Sequence, residues 1–283
     1  MHAVPAALSA AAVDAGATLL HGQTVTRLER TGERITAVVT DRQRIPCDAV
    51  VLTPDLPIAY RLLGDRPRRP LALRHSPSAV VLHTGSDRTW PELAHHTISF
   101  GAAWKQTFRE LTRSGRLMSD PSLLITRPTA TDPGLAPPGK HTHYVLAPCP
   151  NTAVGPSAAS WKDLGPRYRD SLVRELERRG LTGFEDAIDT EILVTPADWT
   201  AQGHAAGTPF SVAHTFPQTG PFRPQPRTRR RQRRTRRVRY HPGVGIPTVL
   251  ISGRLAAARV TGLSVVRHRT ASPPPAATKG DPA

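Results

Sequence analysis

Cysteine is nearly absent from the 283-residue chain. The two present, Cys47 and Cys149, lie roughly a hundred residues apart and form no CxxC pair. A zinc ribbon and a disulfide scaffold are thereby excluded. No run approaches the roughly 18 consecutive apolar residues of a transmembrane helix. The alanine-rich start, MHAVPAALSAAAVDAGATLL, has no Lys/Arg-bearing segment, and Asp14 interrupts it. It reads as an amphipathic helix rather than a secretory signal, so a cytoplasmic protein is expected. No GxSxG elbow occurs, which leaves Ser/His/Asp catalysis without support. Lysine is also scarce, with Lys105, Lys140, Lys162 and Lys279 the only four among 38 basic residues.

What is abundant is arginine. Against 22 Asp and Glu, the basic residues give a formal charge of +16. That charge is concentrated in one place. From Arg227 to Arg239, RTRRRQRRTRRVR holds nine arginines in thirteen residues. Without those nine charges the other 270 residues carry +7. In composition the run resembles arginine-rich RNA-binding peptides, which bind phosphates with a steep salt dependence. A nucleic-acid-binding protein acting through Arg227–Arg239 is therefore one functional reading.

The remaining pattern mixes helices and strands. A helix is predicted over 4–15, with Pro5 in its first turn and Gly16 as its stop. Strands are predicted at 17–22, 24–30, 34–41 and 44–53. The last ends in the continuous apolar run Ala49, Val50, Val51 and Leu52, expected of a strand buried on both faces in a parallel or mixed sheet. One helix and three short strands before it are too little to cover such a strand, so the sheet reads as incomplete on its N-terminal side. Next come a short helix at 58–64, a strand at 78–85 and a helix over 101–117 carrying Trp104, Phe108 and Leu111 at helical spacing. Strands follow at 122–126 and 141–148, then a helix at 161–179 with Leu164, Tyr168, Leu172 and Leu176 on one stripe. A strand at 189–195, a loop-rich stretch at 196–226 and an apolar helix entered within 248–260 complete the reading. The Pro/Ala-rich residues 269–283 read as disordered.

Few residues declare chemistry on their own. His95 with His96, and His141 with His143, lack a third ligand at metal spacing, so no metal is expected. His214 fits an acid/base or, better, a hydrogen-bonded core position. In His241-Pro242-Gly243-Val244-Gly245-Ile246-Pro247 the small residues would let the backbone approach a ligand at the start of a helix. An ordinary Gly/Pro turn is the plainer alternative.

Several long segments carry a family likeness. They include MHAVPAALSAAAVDAGATLLHGQTVTRLERTGERITAVVTDRQRIPCDAVVLTPDLPIAY, SPSAVVLHTG, AHHTISFG and GRLMSDPSLLITRPTATDPGLAPPGKHTHYVLAPCPN. VTPADWTAQGHAAGTPFSVAHTFPQTGPFRP and HPGVGIPTVLISGRLAA extend it over residues 1–226 and 241–262. In this order they resemble bacterial phytoene desaturases, the flavin-dependent carotenoid desaturases of the amine-oxidase-like fold. The resemblance implies an α/β chain with a truncated FAD-linked amine-oxidase-like fold. Residues 1–57 and 241–262 would then be parts of the FAD-binding portion and 58–222 the substrate-binding portion. Residues 223–240 would be an aberrant Arg-rich segment and 263–283 a tail.

The resemblance also implies roles for residues. Val25 would meet the adenine end of FAD through its backbone, or stand as a plain core valine. Pro242, Gly243, Val244, Gly245, Ile246 and Pro247 would run beside the flavin. Phe210, Phe216 and Phe222 would line an apolar tunnel for a hydrocarbon such as phytoene, or simply pack in the core. The implied partners are a lipid-soluble carotenoid substrate, a membrane touched peripherally, and a complementing N-terminal half on another chain. Contact with nucleic acid would be adventitious. No catalytic residue is identified.

Two departures accompany the likeness. No GxGxxG follows a strand anywhere, so the loop that neutralises the FAD diphosphate is missing, and an inactive fragment is expected. Residues 227–240 stand where the family has an apolar strand, and nine unpaired guanidinium groups cannot be buried there. Compensating frameshifts in a GC-rich gene would produce such a segment.

Overall fold

Helical spacing of Tyr168, Leu172 and Leu176 becomes a single long helix in the computed structural model, which describes residues 2–32, 34–64, 73–218 and 245–262. The Arg227–Arg239 run, Phe222, Pro242, Gly243, Val244 and the predicted tail lie outside the described residues. The chain divides into two units. One comprises residues 1–51 with 227–283, and the other residues 52–226.

The second unit is built on a five-stranded sheet. Its strands are β4 (Ser78–Ser86), β5 (His96–Ser99), β6 (Leu123–Thr126), β7 (His141–Cys149) and β8 (Ile188–Val194), in the order β5-β6-β7-β4-β8. Every pairing in it is antiparallel. β7 alternates, with His143, Val145, Ala147 and Cys149 turned inward. Central β4 is buried on both faces through Val80, Val81 and Leu82. The long helix covers one face of this sheet; the helices of the unit are α2 (Leu56–Leu62), α3 (Trp104–Arg109), α4 (Trp161–Arg178) and α5 (Pro196–Ala201). From α4, Trp161, Tyr168, Leu172, Val173 and Leu176 join Val80, Leu82, Val145 and Phe184 in one core. The predicted helix over 101–117 is shorter than expected, because α3 passes at Glu110 into a π-helical turn, Glu110–Ser114. Strand β5 was not expected from the sequence: His96–Ser99 has a half-exposed alternation too short to stand out.

An ion-pair cluster ties α4 to the sheet. Arg169 reaches Glu185 at 2.6 Å and Glu191 of β8 at 2.7 Å. Its side chain is mostly buried, while both carboxylates keep access to solvent. Arg169→Ala should cost about 2 kcal/mol, less than a fully buried pair would. For a unit of this size that lowers Tm by about 6 °C, readable by calorimetry.

His143 makes the same core sensitive to pH. Its ring packs against Trp90 and Phe184, and Nε2 has no partner among the described residues. Burial, reinforced by His141 and Arg127, pushes its pKa down from 6.5 to about 4. Between those values the unfolded imidazole takes up a proton that the folded one refuses. The stability present above pH 6.5 is therefore lost as pH falls towards 4, by up to about 3 kcal/mol. His143→Phe should flatten the dependence of the urea midpoint on pH across that window.

The first unit has α1 (Ala3–Asp14), an antiparallel meander of β1 (Val25–Thr31), β2 (Arg34–Thr40) and β3 (Arg44–Pro46), and α6 (Ile246–Thr261). Register runs from Val25 opposite Thr40 to Thr31 opposite Arg34, with irregularities after Val25 and Glu29. Three expectations are corrected here. Helix α1 is not amphipathic: none of its residues is buried, and Val4, Leu8 and Val13 are all exposed. Residues 17–22 form no strand. Ala49–Leu52 likewise forms none, and Val51 is exposed; β3 stops at Pro46 and pairs only with β2. An apolar run becomes a buried strand only when neighbours offer a ladder on its edges, and among the described residues none does.

Candidate functional site

In the first unit, four of the sequence-predicted positions are described: Val25, Gly245, Ile246 and Pro247. Val25 begins β1 and is 39% exposed. Gly245 begins α6 with φ 99° and ψ 154°, a conformation that strains any residue with a Cβ. Among the described residues a Cβ there would meet only Pro247 Cδ, at 3.9 Å. Pro247 stands in the first helical turn, where its missing N–H is no loss. The Thr248 hydroxyl donates back to the Gly245 carbonyl at 2.8 Å, and Ile246 and Pro247 are exposed.

In the second unit, residues 205–211 form a strained loop over α2. Ala206, Gly207 and Ser211 all take left-handed backbone angles. Side chains from distant segments hold them there. The Asp55 carboxylate accepts from Leu56 N at 2.8 Å, from Ala205 N at 3.2 Å and from the Ser211 hydroxyl. Ser78 Oγ donates to the Gly207 carbonyl at 2.5 Å, and Thr208 Oγ1 to the Pro77 carbonyl at 2.8 Å. Asn151 Nδ2 donates to the carbonyls of Ser76 and His75, at 2.8 and 3.3 Å. His75 pairs with Val212 across this junction, and its buried Nδ1 has no partner among the described residues. Burial holds its pKa below the usual histidine value, with the Asp55 charge opposing. Burial therefore favours the neutral imidazole there. Sequence reading missed this cluster because its members are scattered from 55 to 212 and match no motif.

The two described aromatic candidates, Phe210 and Phe216, lie on the surface of this unit. Phe210 is 43% exposed and Phe216 79% exposed. Neither lines the apolar cavity of about 510 Å3 formed by Phe100, Trp104, Phe108, Leu111, Met118 and Pro148. His214, expected in the core, is exposed instead, carried outward by a segment whose neighbours Val212 and Gln218 are the ones buried. Among the described residues no three His, Cys, Asp or Glu side chains cluster as a metal ion requires.

The decisive likeness spans the chain. Residues 1–261 match the family described as flavin containing amine oxidoreductase. The chain belongs to that family. Among its relatives, a phytoene dehydrogenase of Streptomyces griseus is 71% identical over 274 residues, covering 96% of this chain and 54% of its own. A zeta-carotene-forming phytoene desaturase of Myxococcus xanthus is 34% identical over 272 residues, covering 92% and 51%. A lycopene-forming phytoene desaturase of a Paracoccus strain is 35% identical over 257 residues, covering 86% and 50%. The chain thus spans about half the length of the curated relatives it matches.

A flavin fits the described residues in part. The open backbone at Gly245, leading into the sixteen-residue helix α6, suits close approach by a planar group. For the dinucleotide's diphosphate the sequence offers no GxGxxG loop.

Proposed function

We propose that this chain serves FAD-dependent desaturation of a carotenoid precursor such as phytoene. The observation that carries the reading is the 71% identity, over 96% of the chain, to a protein named phytoene dehydrogenase. When bound, the flavin supplies a hydride acceptor, and the neighbouring carbon of the hydrocarbon loses a proton. The chain's own contribution is to bind and orient. Val25 and the segment Pro242, Gly243, Val244, Gly245, Ile246 and Pro247 hold the cofactor through backbone and small side chains. Residues 1–57 and 241–262 form the FAD-binding portion and 58–222 the substrate-binding portion. Phe210, Phe216 and Phe222 offer apolar surface to a substrate that has no polar handle.

The diphosphate cradle comes from a polypeptide carrying the family's glycine loop, on another chain. The exposed apolar side chains of α1, Val4, Leu8 and Val13, suit cover by such a partner. The protein works in the cytoplasm, touching the membrane that holds its substrate; no helix among the described residues is long and apolar enough to cross one. Nucleic acid binds only adventitiously, through the charge of Arg227–Arg239.

The test is co-expression with the part of the Streptomyces griseus relative that this chain does not match. The assembled pair, given phytoene in vesicles, should lengthen its conjugated polyene, seen as new visible absorption. A flavin-loaded assembly that leaves phytoene unchanged would falsify the desaturase reading.

A further inference from the structure

The apolar cavity of the second unit lies on the face of the sheet opposite α4. Along β7 the core side is taken by Val145, Ala147 and Cys149, so Pro148, which lines the cavity, points the other way. Leu146 and Tyr144 follow Pro148 along that same face. Leu146 is flanked by Leu124 of β6 and Val81 of β4, and Leu124 in turn by Ile98 of β5. Tyr144 meets His83 of β4 edge to face, with ring centres 5.0 Å apart. The cavity is thus continued along β7 by a largely apolar strip that ends at Tyr144, about 14 Å from Pro148.

The cavity has a fixed wall. Its floor, Leu111 and Met118, is buried, and Phe100, Trp104 and Phe108 form its exposed rim. Leu111 reaches it from the π turn Glu110–Ser114, a widened backbone that recurs at functional sites. Two features lock that turn. The Glu110 carboxylate accepts from Ser119 N at 2.9 Å, and Gly115 ends the turn at φ 63°, where a Cβ would collide with the Val154 carbonyl. None of the residues lining the cavity carries a charge. The two hydroxyls among them are engaged. Thr107 Oγ1 donates to the Trp104 carbonyl at 3.0 Å, and Ser122 Oγ accepts from Gly101 N at 3.2 Å. A ligand is therefore offered apolar surface, with neither a charge nor an unengaged hydroxyl.

We propose that this cavity receives one end of a linear isoprenoid hydrocarbon, whose chain lies along Leu146 and Tyr144. That this hydrocarbon is the substrate rests on the proposed function. A chain without polar atoms cannot be fixed by hydrogen bonds, so its position along the strip is set by where an apolar wall stops it. Leu111 and Met118 are that stop. The lining argues for the ligand class independently. A carboxylate or phosphate placed in the cavity would lose its hydration with no cation or free donor in the lining to replace it. The volume of about 510 Å3 lies within the range of pockets that hold small organic ligands.

The test uses the full chain and diphenylhexatriene, a polyene hydrocarbon that fluoresces strongly only in apolar surroundings. It should bind, and farnesene, a linear isoprenoid hydrocarbon, should displace it. Laurate, of similar length but ending in a carboxylate, should compete about tenfold more weakly. Leu111→Trp fills the floor and should weaken farnesene binding about tenfold. Phe108 is 61% exposed, so Phe108→Ser removes part of the rim without moving the thermal midpoint, and should weaken farnesene about threefold. Phe108→Ser alone decides if Leu111→Trp does not fold. Absence of displaceable binding overturns the proposal. So does farnesene affinity unchanged in Phe108→Ser or in folded Leu111→Trp, or laurate competing as well as farnesene. None of these ligands needs flavin, so the two readings fail separately. An assembled pair that leaves phytoene unchanged while farnesene binding responds to both variants sinks the desaturase reading alone. Desaturation with farnesene affinity indifferent to both variants sinks the cavity alone.

Discussion

Replacing Trp161 with alanine is expected to destabilise the second unit by about 4 kcal/mol. Trp161 is 1% exposed and begins α4, where it packs edge-on to Tyr168 with ring centres 6.4 Å apart. Its removal leaves a cavity between helix and sheet that Leu172 and Val145 cannot fill, since both are themselves held on opposite walls of the same core. Against a total stability of about 5–15 kcal/mol that is a large share, and it should lower Tm by about 12 °C. Trp161→Phe provides the contrast. The indole N–H is buried with no partner among the described residues. Phenylalanine loses volume but also removes that unsatisfied donor, which costs about 1–3 kcal/mol where it stands. The net loss should be about 1 kcal/mol. Calorimetry of the two variants decides it; a loss of about 3 kcal/mol in Trp161→Phe would mean that the N–H has no energetic weight.

The chain purified alone is expected to carry flavin far below one per molecule. A flavin dinucleotide brings a diphosphate that must be met by backbone N–H groups and a helix N-terminus, and no GxGxxG occurs in this sequence to provide them. Co-expression with the unmatched part of the Streptomyces griseus relative should raise occupancy towards one flavin per pair. Gly245→Val in that pair should then weaken flavin binding about tenfold. The residue sits at φ 99°, a region that strains a β-branched side chain by about 1–3 kcal/mol, and the new side chain would occupy the open approach. Absorbance of the purified protein, before and after denaturation, measures both. A full flavin spectrum from the chain alone would overturn the first expectation, and unchanged occupancy in Gly245→Val the second.

Much of the second unit was legible beforehand for a physical reason. Tyr168, Leu172 and Leu176 repeat at the helical period, and Val145, Ala147 and Cys149 alternate at the strand period. Both signals are local and strong. The helix over 101–117 was legible only in part, because nothing in its spacing announces that the backbone widens into a π turn at Glu110. Ala49–Leu52 failed for the opposite reason. Its apolar character is as strong as that of β4, yet β4 has β7 and β8 on its edges and this run pairs with nothing described.

The site divides the same way. Gly245 could be picked out because a glycine before an apolar helix has a specific backbone use, and its φ of 99° is of the kind only glycine adopts freely. Phe100, Trp104 and Phe108 could not. The helical spacing of Trp104 and Phe108 with Leu111 reads as an ordinary buried stripe, and only the folded unit shows the two rings, with Phe100, facing water around a cavity. Asp55, His75, Asn151 and Ser211 were invisible for want of any pattern.

By itself the sequence determined the family, because long blocks in a set order survive without reference to their contacts, and it located the excess charge in thirteen residues. It also determined which stretches could be helix or strand, since period and propensity are local. Only the tertiary structure decided which apolar residues are core and which are surface. Burial depends on what packs opposite a side chain, and that is a property of residues far away in the chain. Leu172 and Trp104 carry the same hydrophobic signal, and α4 faces a sheet where α3 turns its aromatics to water.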